Sequence, residues 1–363
     1  MSLLLQNAKL VNGEVKHIFV TNDEIELISD TVKKQATMSL DLKGKIYVSS
    51  GWIDMHTHAF PKFSPYCAYP DEIGYKTGVT TVVDAGSSGS DTIGEFYELA
   101  KQYKTRIFSF MNISKVGLAR IDELSRIEDL QFSSIQRAYC AYPDFIAGLK
   151  VRMSASVVGE NGIQPLRIAK KYGKELDLPI MVHIGSAPPT IEEVLPYLEQ
   201  GDIVTHCFHG KSNNHIFSCS YEPIQECLQA GVSFDIGHGT ASFSFAIAKQ
   251  AKERGIPFHT ISTDIYNRNK ENGPVYNMAT TLTKFLYLGY DLETIIQAVT
   301  ETPAKLLRKE KLGRLERGAT ADLTLFTVEQ DEVLLTDSHG ETVTYHQKIS
   351  PKAVVLGGEY IEL

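Results

Sequence analysis

The sequence predicts an α/β protein: a (β/α)8 TIM barrel with a small β-sandwich domain built from both chain ends. Three observations support this prediction. The 363 residues exceed the roughly 250 that such a barrel needs, which leaves room for one appendage. Apolar β-branched runs alternate with amphipathic stretches of helical length between about residues 51 and 310. Short β-rich runs occupy the two ends, so we expect a small β-domain from 1–50 and 311–363 around a barrel of 51–310.

Eight apolar runs in the central region have the length and composition of buried parallel strands. They lie at 53–58, 80–84, 106–112, 145–151, 179–183, 202–206, 232–235 and 259–264. Helical periodicity between the later runs predicts helices at 165–176, 191–200, 223–230 and 243–254. The β-rich ends predict strands at 3–11, 17–20, 24–28 and 45–48, and again at 322–326, 343–346 and 353–355.

Composition excludes several classes of partner. Hydrophobic residues make up 43% of the chain and charged residues 22%, which is typical of a soluble globular protein. The formal net charge of −8 comes without a basic stripe, so we expect no nucleic-acid partner. No stretch approaches the roughly 20 apolar residues of a membrane span. A small-molecule substrate is the expected partner, and a homo-oligomer is left open.

The chain start and the cysteines both favour a cytoplasmic protein. The first residues, Met1 to Leu5, have no basic region, and polar Gln6 and Asn7 cut the apolar run short, so we expect no signal peptide. The five cysteines are an odd number, are widely scattered and form no C-x-x-C pair. They are typical of reduced thiols rather than of disulfides or a cysteine-rich zinc site.

The strongest local motif is Gly51-Trp52-Ile53-Asp54-Met55-His56-Thr57-His58, which ends an apolar strand with two histidines. The period-two geometry of a strand sends both imidazoles to the same face, here the barrel interior. Two converging ring nitrogens are a ready chelate for zinc. A strand end with two solvated histidines is the alternative interpretation.

Other predicted strands also end with residue types that bind metals. Lys150 lies at the end of the fourth strand, and His183, His206 and Asp264 lie at the ends of the fifth, sixth and eighth. In a barrel, all these carboxyl ends lie on the one face where active sites are found. The coincidence favours a metal site over chance placement.

Lys150 is the unusual member, because an ammonium beside two cations would be repelled. A buried lysine readily lowers its pKa, and its neutral amine can add carbon dioxide to become a carbamate, an anionic bridging ligand. A structural lysine paired with a carboxylate is the alternative. The surrounding histidines and Asp264 favour the carbamate, N6-carboxylysine.

These residues resemble the amidohydrolase superfamily, in its binuclear branch of dihydroorotase-like enzymes and related deacetylases. The pattern that matches in order, residue type and strand placement is His56-x-His58, Lys150, His183, His206 and Asp264. The segment Gly313-x-Leu315-x-x-Gly318-x-x-Ala321-Asp322-Leu323 is similar to the one with which such chains re-enter their small β-domain. Two runs, 150–154 and 206–210, are most similar to a subgroup that removes acetyl or similar acyl groups from small acids.

The resemblance implies a cofactor of two divalent metal ions, expected to be Zn²⁺, and a mechanism. The implied ligands are His56, His58 and Asp264 for one metal, His183 and His206 for the other, and carboxylated Lys150 bridging both. A shared hydroxide would then be the nucleophile at neutral pH. Asp264 would be the catalytic residue that takes its proton and delivers it to the leaving group.

Four further residues are candidates for binding substrate. Arg152 stands two residues after Lys150, on the same side of the strand, where it would grip a carboxylate or form a salt bridge at the barrel rim. His238, flanked by Gly237 and Gly239, follows the seventh strand and either touches substrate or is a hydrogen-bonded loop histidine. Lys211 and Asn272 are weaker candidates.

The residues and the resemblance together predict hydrolysis of an amide or ester acyl bond in a small, anionic molecule, as in a deacetylase. A cyclic amidohydrolase of the dihydroorotase or hydantoinase kind and a nucleobase deaminase are the alternative enzymes. A deaminase on this scaffold usually has a glutamate near the sixth-strand histidine, and 205–212 contains none. A non-catalytic scaffold is disfavoured because all six ligand positions are intact.

Overall fold

The computed structural model describes residues 2–363. Its strands in chain order are β1 Ser2–Lys9, β2 Val15–Thr21, β3 Glu24–Ser29, β4 Met38–Asp41, β5 Tyr47–Ser50, β6 Trp52–Thr57, β7 Val79–Ala85, β8 Arg106–Asn112, β9 Ile146–Met153, β10 Ile180–Ile184, β11 Ile203–Thr205, β12 Ser233–Asp235, β13 Leu323–Glu329, β14 Val333–Thr336, β15 Thr342–Tyr345, β16 Lys348–Leu356 and β17 Glu359–Glu362.

The α-helices alternate with the central strands and continue after them. In chain order they are α1 Pro70–Ile73, α2 Ile93–Ala100, α3 Phe132–Ala141, α4 Ala155–Val158, α5 Gln164–Leu176, α6 Ile191–Val194, α7 Tyr221–Gln229, α8 Phe245–Glu253, α9 Asn267–Asn272, α10 Met278–Tyr287, α11 Leu292–Gln297 and α12 Glu301–Leu306. Within residues 2–363, none has the length and apolar character that a membrane crossing requires.

Strands β6 to β12 form one curled sheet in which every strand pairs in parallel with the next along the chain. Each overlaps a predicted run. The eighth predicted strand, 259–264, is not a regular strand. Thr260 in it makes an isolated parallel bridge to Asp235 of β12, and Ile265, which directly follows it, makes another to Thr57 of β6. This segment therefore connects the two edge strands of the sheet, as closure of a barrel requires.

One end of the barrel is apolar and the other is polar. Alternate strand residues form a buried cluster that also contains Ala304, Leu307 and Leu312 from the region of α12; the strand members are Ile53, Met55, Val83, Ala85, Phe108, Phe110, Met181 and Ile203. The polar end is the one at which the strands finish. The chemistry-bearing side chains lie there, as the fold class predicts.

Strands from both chain ends form a second sheet, in the order β17-β16-β13-β5-β1-β2-β3, with β4 pairing with β1. Its apolar side chains, such as Leu5, Val20 and Leu323, form a separate buried cluster. The union of both ends is thus as predicted. All eight strands are connected in a single sheet, so a two-layer sandwich and the bounds 1–50 and 311–363 stay predictions.

Two further predicted elements differ from those observed. The helix predicted at 191–200 ends as α6 at Val194 and continues only as a 3-10 turn, Leu195–Tyr197. Pro196 lacks the amide hydrogen that an α-helix needs, and its ring crowds the preceding turn. The strand predicted at 343–346 is β15, which pairs with β14 in a separate hairpin and not with the terminal sheet.

Candidate metal centre and active site

A cavity of about 150 Å³ lies at the carboxyl ends of the barrel strands. All six predicted metal-ligand residues line it, and so do two of the predicted substrate-binding residues. The lining residues are His56, His58, Tyr66, Ala85, Lys150, Arg152, His183, His206, Lys211, Thr240, Ala241, Ser242, Asp264 and Tyr266. The fold therefore brings together side chains that are more than 200 positions apart in the chain.

His56 and His58 enter this cavity because β6 is irregular. Ile53 and Met55 point into the apolar barrel cluster, so an ideal period of two would send His56 and His58 to the opposite face. The pairing of β6 with β7 shifts register between Asp54 and Thr57. A shift of this kind re-aims the side chains that follow it.

His206 and Asp264 reach the cavity through left-handed backbone. Their φ angles are 67° and 50°, values that residues other than glycine rarely adopt. The carboxylate Oδ1 of Asp264 lies 3.1 Å from Nε2 of His58 and 3.5 Å from Nε2 of His56. Gly239 packs directly against this carboxylate, where a Cβ would collide with Asp264 Oδ2. Strain at a strand end is common at functional sites.

Lys150 is completely buried and makes no ion pair with any residue in 2–363. Its Nζ lies 3.4 Å from Nε2 of His56 and 3.3 Å from Sδ of Met181. Gly86, with φ of 89°, leaves room for its stem, because a Cβ there would lie 2.6 Å from Lys150 Cγ. Burial lowers the pKa of Lys150 to about 7, which favours the neutral amine. The predicted alternative, a lysine paired with a carboxylate, is not observed.

The donor set fits a divalent metal. Ligand atoms of His56, His206 and Asp264 all lie within 4.8 Å of one another. Burial lowers the pKa of His206 to about 3 and holds those of His56 and His183 well below the usual value. These imidazoles are therefore neutral, the form that binds metals.

The second ring nitrogens of three histidines are held by hydrogen bonds, as is typical of metal ligands. Nδ1 of His58 pairs with Oγ of Ser87 at 2.8 Å, and Nδ1 of His206 pairs with the carbonyl oxygen of Gly237 at 2.6 Å. Nδ1 of His56 pairs with Oγ1 of Thr205 at 2.8 Å. In each ring, Nε2 is left for the cavity.

Arg152 makes the salt bridge that was the alternative to substrate binding, and its contact with substrate stays a prediction. Its Nε and Nη2 donate to Glu123 at 2.8 and 2.9 Å, and Nη2 also donates to the carbonyl of Ile121. This buried ion pair fixes the guanidinium at the cavity wall and leaves Nη1 uncommitted. Lys211 also lines the cavity, and its ammonium makes no ion pair within the described residues.

Two predicted substrate-binding residues lie outside the cavity, which corrects those assignments. His238 is completely buried, and its ring stacks on Phe243. Its Nδ1 pairs with the carbonyl of Gly239 at 2.9 Å, and its Nε2 pairs with Nζ of Lys284 at 2.8 Å, so neither nitrogen is free for a ligand. Asn272 is the last residue of α9, is exposed and does not line the cavity.

Sequence reasoning missed one wall of the cavity. Tyr66 and Tyr266 pack with ring centroids 5.1 Å apart, and the Tyr266 hydroxyl pairs with Oγ1 of Thr240 at 2.7 Å. Thr240 belongs to 240–242, which directly follows the Gly237-His238-Gly239 motif, so the motif indicates the right loop, but the cavity is lined by the three residues after it. No motif near Tyr66 in the sequence indicates that its side chain lines the cavity.

The turn of the β14–β15 hairpin supports the same loop. Oγ of Ser338 donates to the carbonyl of Gly239 at 2.8 Å, and a side-chain oxygen of Asp337 accepts from the amide of Phe245 at 3.0 Å. These bonds anchor both ends of the segment that carries Thr240, Ala241 and Ser242. No pattern in the sequence indicated this contact.

Comparisons with known proteins agree with this geometry. The family model described as a deacetylase-like composite domain matches residues 315–361. A deacetylase from Enterococcus faecalis is 46% identical over 361 residues, covering 98% of each chain. A crystal structure of an adenine deaminase superimposes with a TM-score of 0.97 at 45% identity, covering 99% of each chain. One of a dihydroorotase has a TM-score of 0.93 at 34% identity, covering 99% of this chain and 97% of that one.

The three names denote three activities, so these similarities establish the family and not the substrate. The identity extends over nearly the full length of each relative, and the fold that it implies is the one observed. The chain belongs to the family of these deacetylase relatives, within the amidohydrolase superfamily of metallohydrolases.

Proposed function

We propose that the chain is a metal-dependent hydrolase that removes an acetyl-like acyl group from a small, anionic molecule by cleaving its amide or ester bond. The observation that carries this proposal is the composition of the cavity, in which the six side chains predicted to bind metal lie beside the cations Arg152 and Lys211. The deacetylase name of the full-length relatives supports the same activity.

The proposed cofactor is a pair of divalent metal ions, Zn²⁺, with Lys150 carboxylated. The proposed ligands are His56, His58 and Asp264 for one ion, His183 and His206 for the other, and the Lys150 carbamate for both. When bound, such a pair activates water and polarises a carbonyl group. Carbamate formation joins the Lys150 amine to the carbon of CO₂ and releases one proton.

The protein's own groups have separate tasks. Asp264 lines the cavity and is proposed to accept a proton from the attacking water and to deliver it to the leaving nitrogen or oxygen. Nη1 of Arg152 and the ammonium of Lys211 are proposed to bind a substrate carboxylate. Tyr66 and Tyr266 narrow the cavity, which favours a small acyl group.

We further propose a cytoplasmic location.

Two alternatives are distinguished by charge. The adenine deaminase relative is named for a neutral base, and in this cavity the Lys211 ammonium and the free Nη1 of Arg152 would have no anionic partner on such a molecule. A cyclic amide that carries a carboxylate, as the dihydroorotase relative suggests, would satisfy them. Cyclic amide hydrolysis is therefore the second candidate.

A substrate screen tests the proposal directly. Purified, zinc-loaded protein would be assayed with N-acyl amino acids, O-acyl hydroxy acids, cyclic ureides or imides, and adenine. We expect turnover with an acylated anion that disappears after chelation and returns with Zn²⁺. Turnover of adenine alone would contradict the acyl hydrolase assignment.

The metal stoichiometry gives an independent prediction. Five protein ligands and a bridging position should hold about two metal ions per chain. Elemental analysis of protein purified without chelators, divided by its concentration from amino-acid analysis, measures the ratio. A ratio that remains near one after zinc loading would favour a mononuclear centre.

Replacing Arg152 with methionine should mainly weaken substrate binding. Loss of one charge-assisted contact costs about 1.5–3 kcal/mol, or roughly a ten- to hundredfold decrease in kcat/KM. Steady-state kinetics with the anionic substrate measure the change. Arg308→Met, which breaks an exposed ion pair with Asp177, is the matched control and should leave kcat/KM unchanged. If Arg152→Met hydrolyses the anion as well as the parent does, the assigned role is wrong.

A further inference from the structure

Asp235 at the end of β12 is a buried carboxylate that does not line the cavity. It is completely buried, and among residues 2–363 no lysine or arginine lies within 4.0 Å of its carboxylate. Three hydroxyl groups surround it instead: Thr205 at 2.7 Å and Ser262 at 2.6 Å donate to Oδ2, and Thr260 at 2.6 Å donates to Oδ1. A buried charge requires such compensation. Burial raises the pKa of Asp235, whereas the three hydrogen bonds favour its charged form.

The carboxylate determines which way the hydroxyl groups point. The Asp235 carboxylate accepts from all three hydroxyl groups, so each hydroxyl hydrogen is directed at it. The oxygen lone pairs of Thr205 and Ser262 then face away from it. Each of these oxygens can accept one further hydrogen bond. The donor to Thr205 is a histidine of the cavity, and the donor to Ser262 is a backbone amide whose residue in turn contacts another such histidine.

The first chain of hydrogen bonds ends at His56. Oγ1 of Thr205 lies 2.8 Å from Nδ1 of His56 and 2.7 Å from Oδ2 of Asp235. Because the Thr205 hydrogen is used by Asp235, Nδ1 must be the donor and carries the ring proton. Nε2, which faces Lys150 and Asp264, is therefore left with its lone pair.

The second chain of hydrogen bonds ends at His206. Oγ of Ser262 accepts from the amide of Gly237 at 3.0 Å, and the carbonyl of Gly237 pairs with Nδ1 of His206 at 2.6 Å. A carbonyl only accepts, so Nδ1 of His206 also carries its ring proton. Gly237 is required at this point, because its φ is 50° and a Cβ would lie 2.7 Å from Nδ1 of His206.

We propose that Asp235 is a positioning residue that orients two proposed metal ligands, His56 through Thr205 and His206 through Ser262 and the backbone N–H and C=O of Gly237. The inference rests on the proposed function, which assigns these histidines to different metal ions. One carboxylate would thus fix both rings, and with them the relative placement of the two ions. Partners of this kind typically change metal affinity by about 10- to 100-fold.

A matched pair of isosteric variants tests this role. Thr205→Val removes the link from Asp235 to His56, whereas Thr260→Val removes a bond to Asp235 that leads to no histidine. Zinc affinity would be measured by competition with a chromogenic chelator. We expect about a 10- to 100-fold loss in Thr205→Val, a much smaller loss in Thr260→Val and recovery in Thr205→Ser. Equal losses in both valine variants, or none in Thr205→Val, would overturn the proposal.

A measurement on metal-free protein separates this proposal from the proposed function. Nitrogen-15 NMR of labelled histidines reports which ring nitrogen carries the proton. The parent and Thr260→Val should show His56 protonated at Nδ1, and Thr205→Val should show a mixture of both forms. A mixture in the metal-free parent would overturn the positioning role. Failure of the parent to bind zinc, with His56 still held at Nδ1, would contradict the proposed function alone.

Discussion

Lys150→Ala should lose the metal pair and retain less than about one-thousandth of the parent kcat/KM, because the activated water depends on the metals. The side chain lies 3.4 Å from His56, is completely buried and has no carboxylate within ion-pair distance among residues 2–363. As a carbamate it would supply one negative charge between two dications, whereas an ammonium would add a third positive charge. Elemental analysis and steady-state kinetics measure the two losses.

A second buried lysine provides the control. Lys284 is also completely buried, and burial lowers its pKa to about 7 as well, but it pairs with His238 and the carbonyl of Pro274 outside the cavity. Protein loaded with metal and carbon-13 bicarbonate should show one carbamate NMR signal, absent in Lys150→Ala and present in Lys284→Met. Full activity in Lys150→Ala, or no carbamate in the metal-loaded parent, would contradict the bridging role.

Added acetate or propionate should partly rescue the Lys150→Ala variant. The missing group is a carboxylate, and removal of the side chain vacates space beside Gly86 and Met181. Added acid is expected to restore part of the metal binding and part of the activity. Recovery in Lys150→Ala but not in Arg152→Met would tie the effect to the bridging position.

Asp264→Asn should lower kcat by about 10²- to 10⁴-fold, the usual contribution of a positioned general acid–base group. Its Oδ1 lies 3.1 Å from His58, at the centre of the proposed ligand set. Asparagine keeps an oxygen at nearly the same place and cannot accept the proton from water. Single-turnover kinetics with the identified substrate isolate the chemical step.

Metal content distinguishes proton transfer from loss of the site. Asp264→Asn protein that holds about two zinc ions per chain and turns over slowly would support the acid–base role. Asp264→Ala, which lacks the oxygen, should lose metal as well. Parent-like kcat in metal-loaded Asp264→Asn would show that another group moves the proton.

The predicted strand pattern was informative because parallel barrel strands are buried on both faces and form continuous apolar runs. Seven of the eight predicted runs are strands of the curled sheet. The eighth, 259–264, makes only single bridges, and Asp264 leaves extended geometry with φ of 50°. This segment forms hydrogen bonds to β6 and β12, such as the one from Asp264 N to His56 O at 2.7 Å. These bonds form because the barrel closes there, and the strand propensity of the local sequence does not predict them.

The substrate-binding candidates were less predictable, since they depend on loops. Arg152 and Lys211 line the cavity, but His238 was chosen from its flanking glycines and lies behind the wall with both nitrogens bonded. Flanking glycines indicate that another group packs closely against the backbone. They do not show whether that group is a ligand or a side chain of the protein. Here Gly239 packs against Asp264 and Gly237 against His206.

Strand periodicity and residue type are local properties, so they already indicate which chemical groups lie at the carboxyl ends of the barrel strands. The directions in which those groups point depend on tertiary contacts. His56 and His58 face the cavity through a register shift against β7, and His206 does so through a left-handed backbone held by Gly237. Register and backbone strain are set by hydrogen bonds to strands far away in the chain, so no window of neighbouring residues contains them.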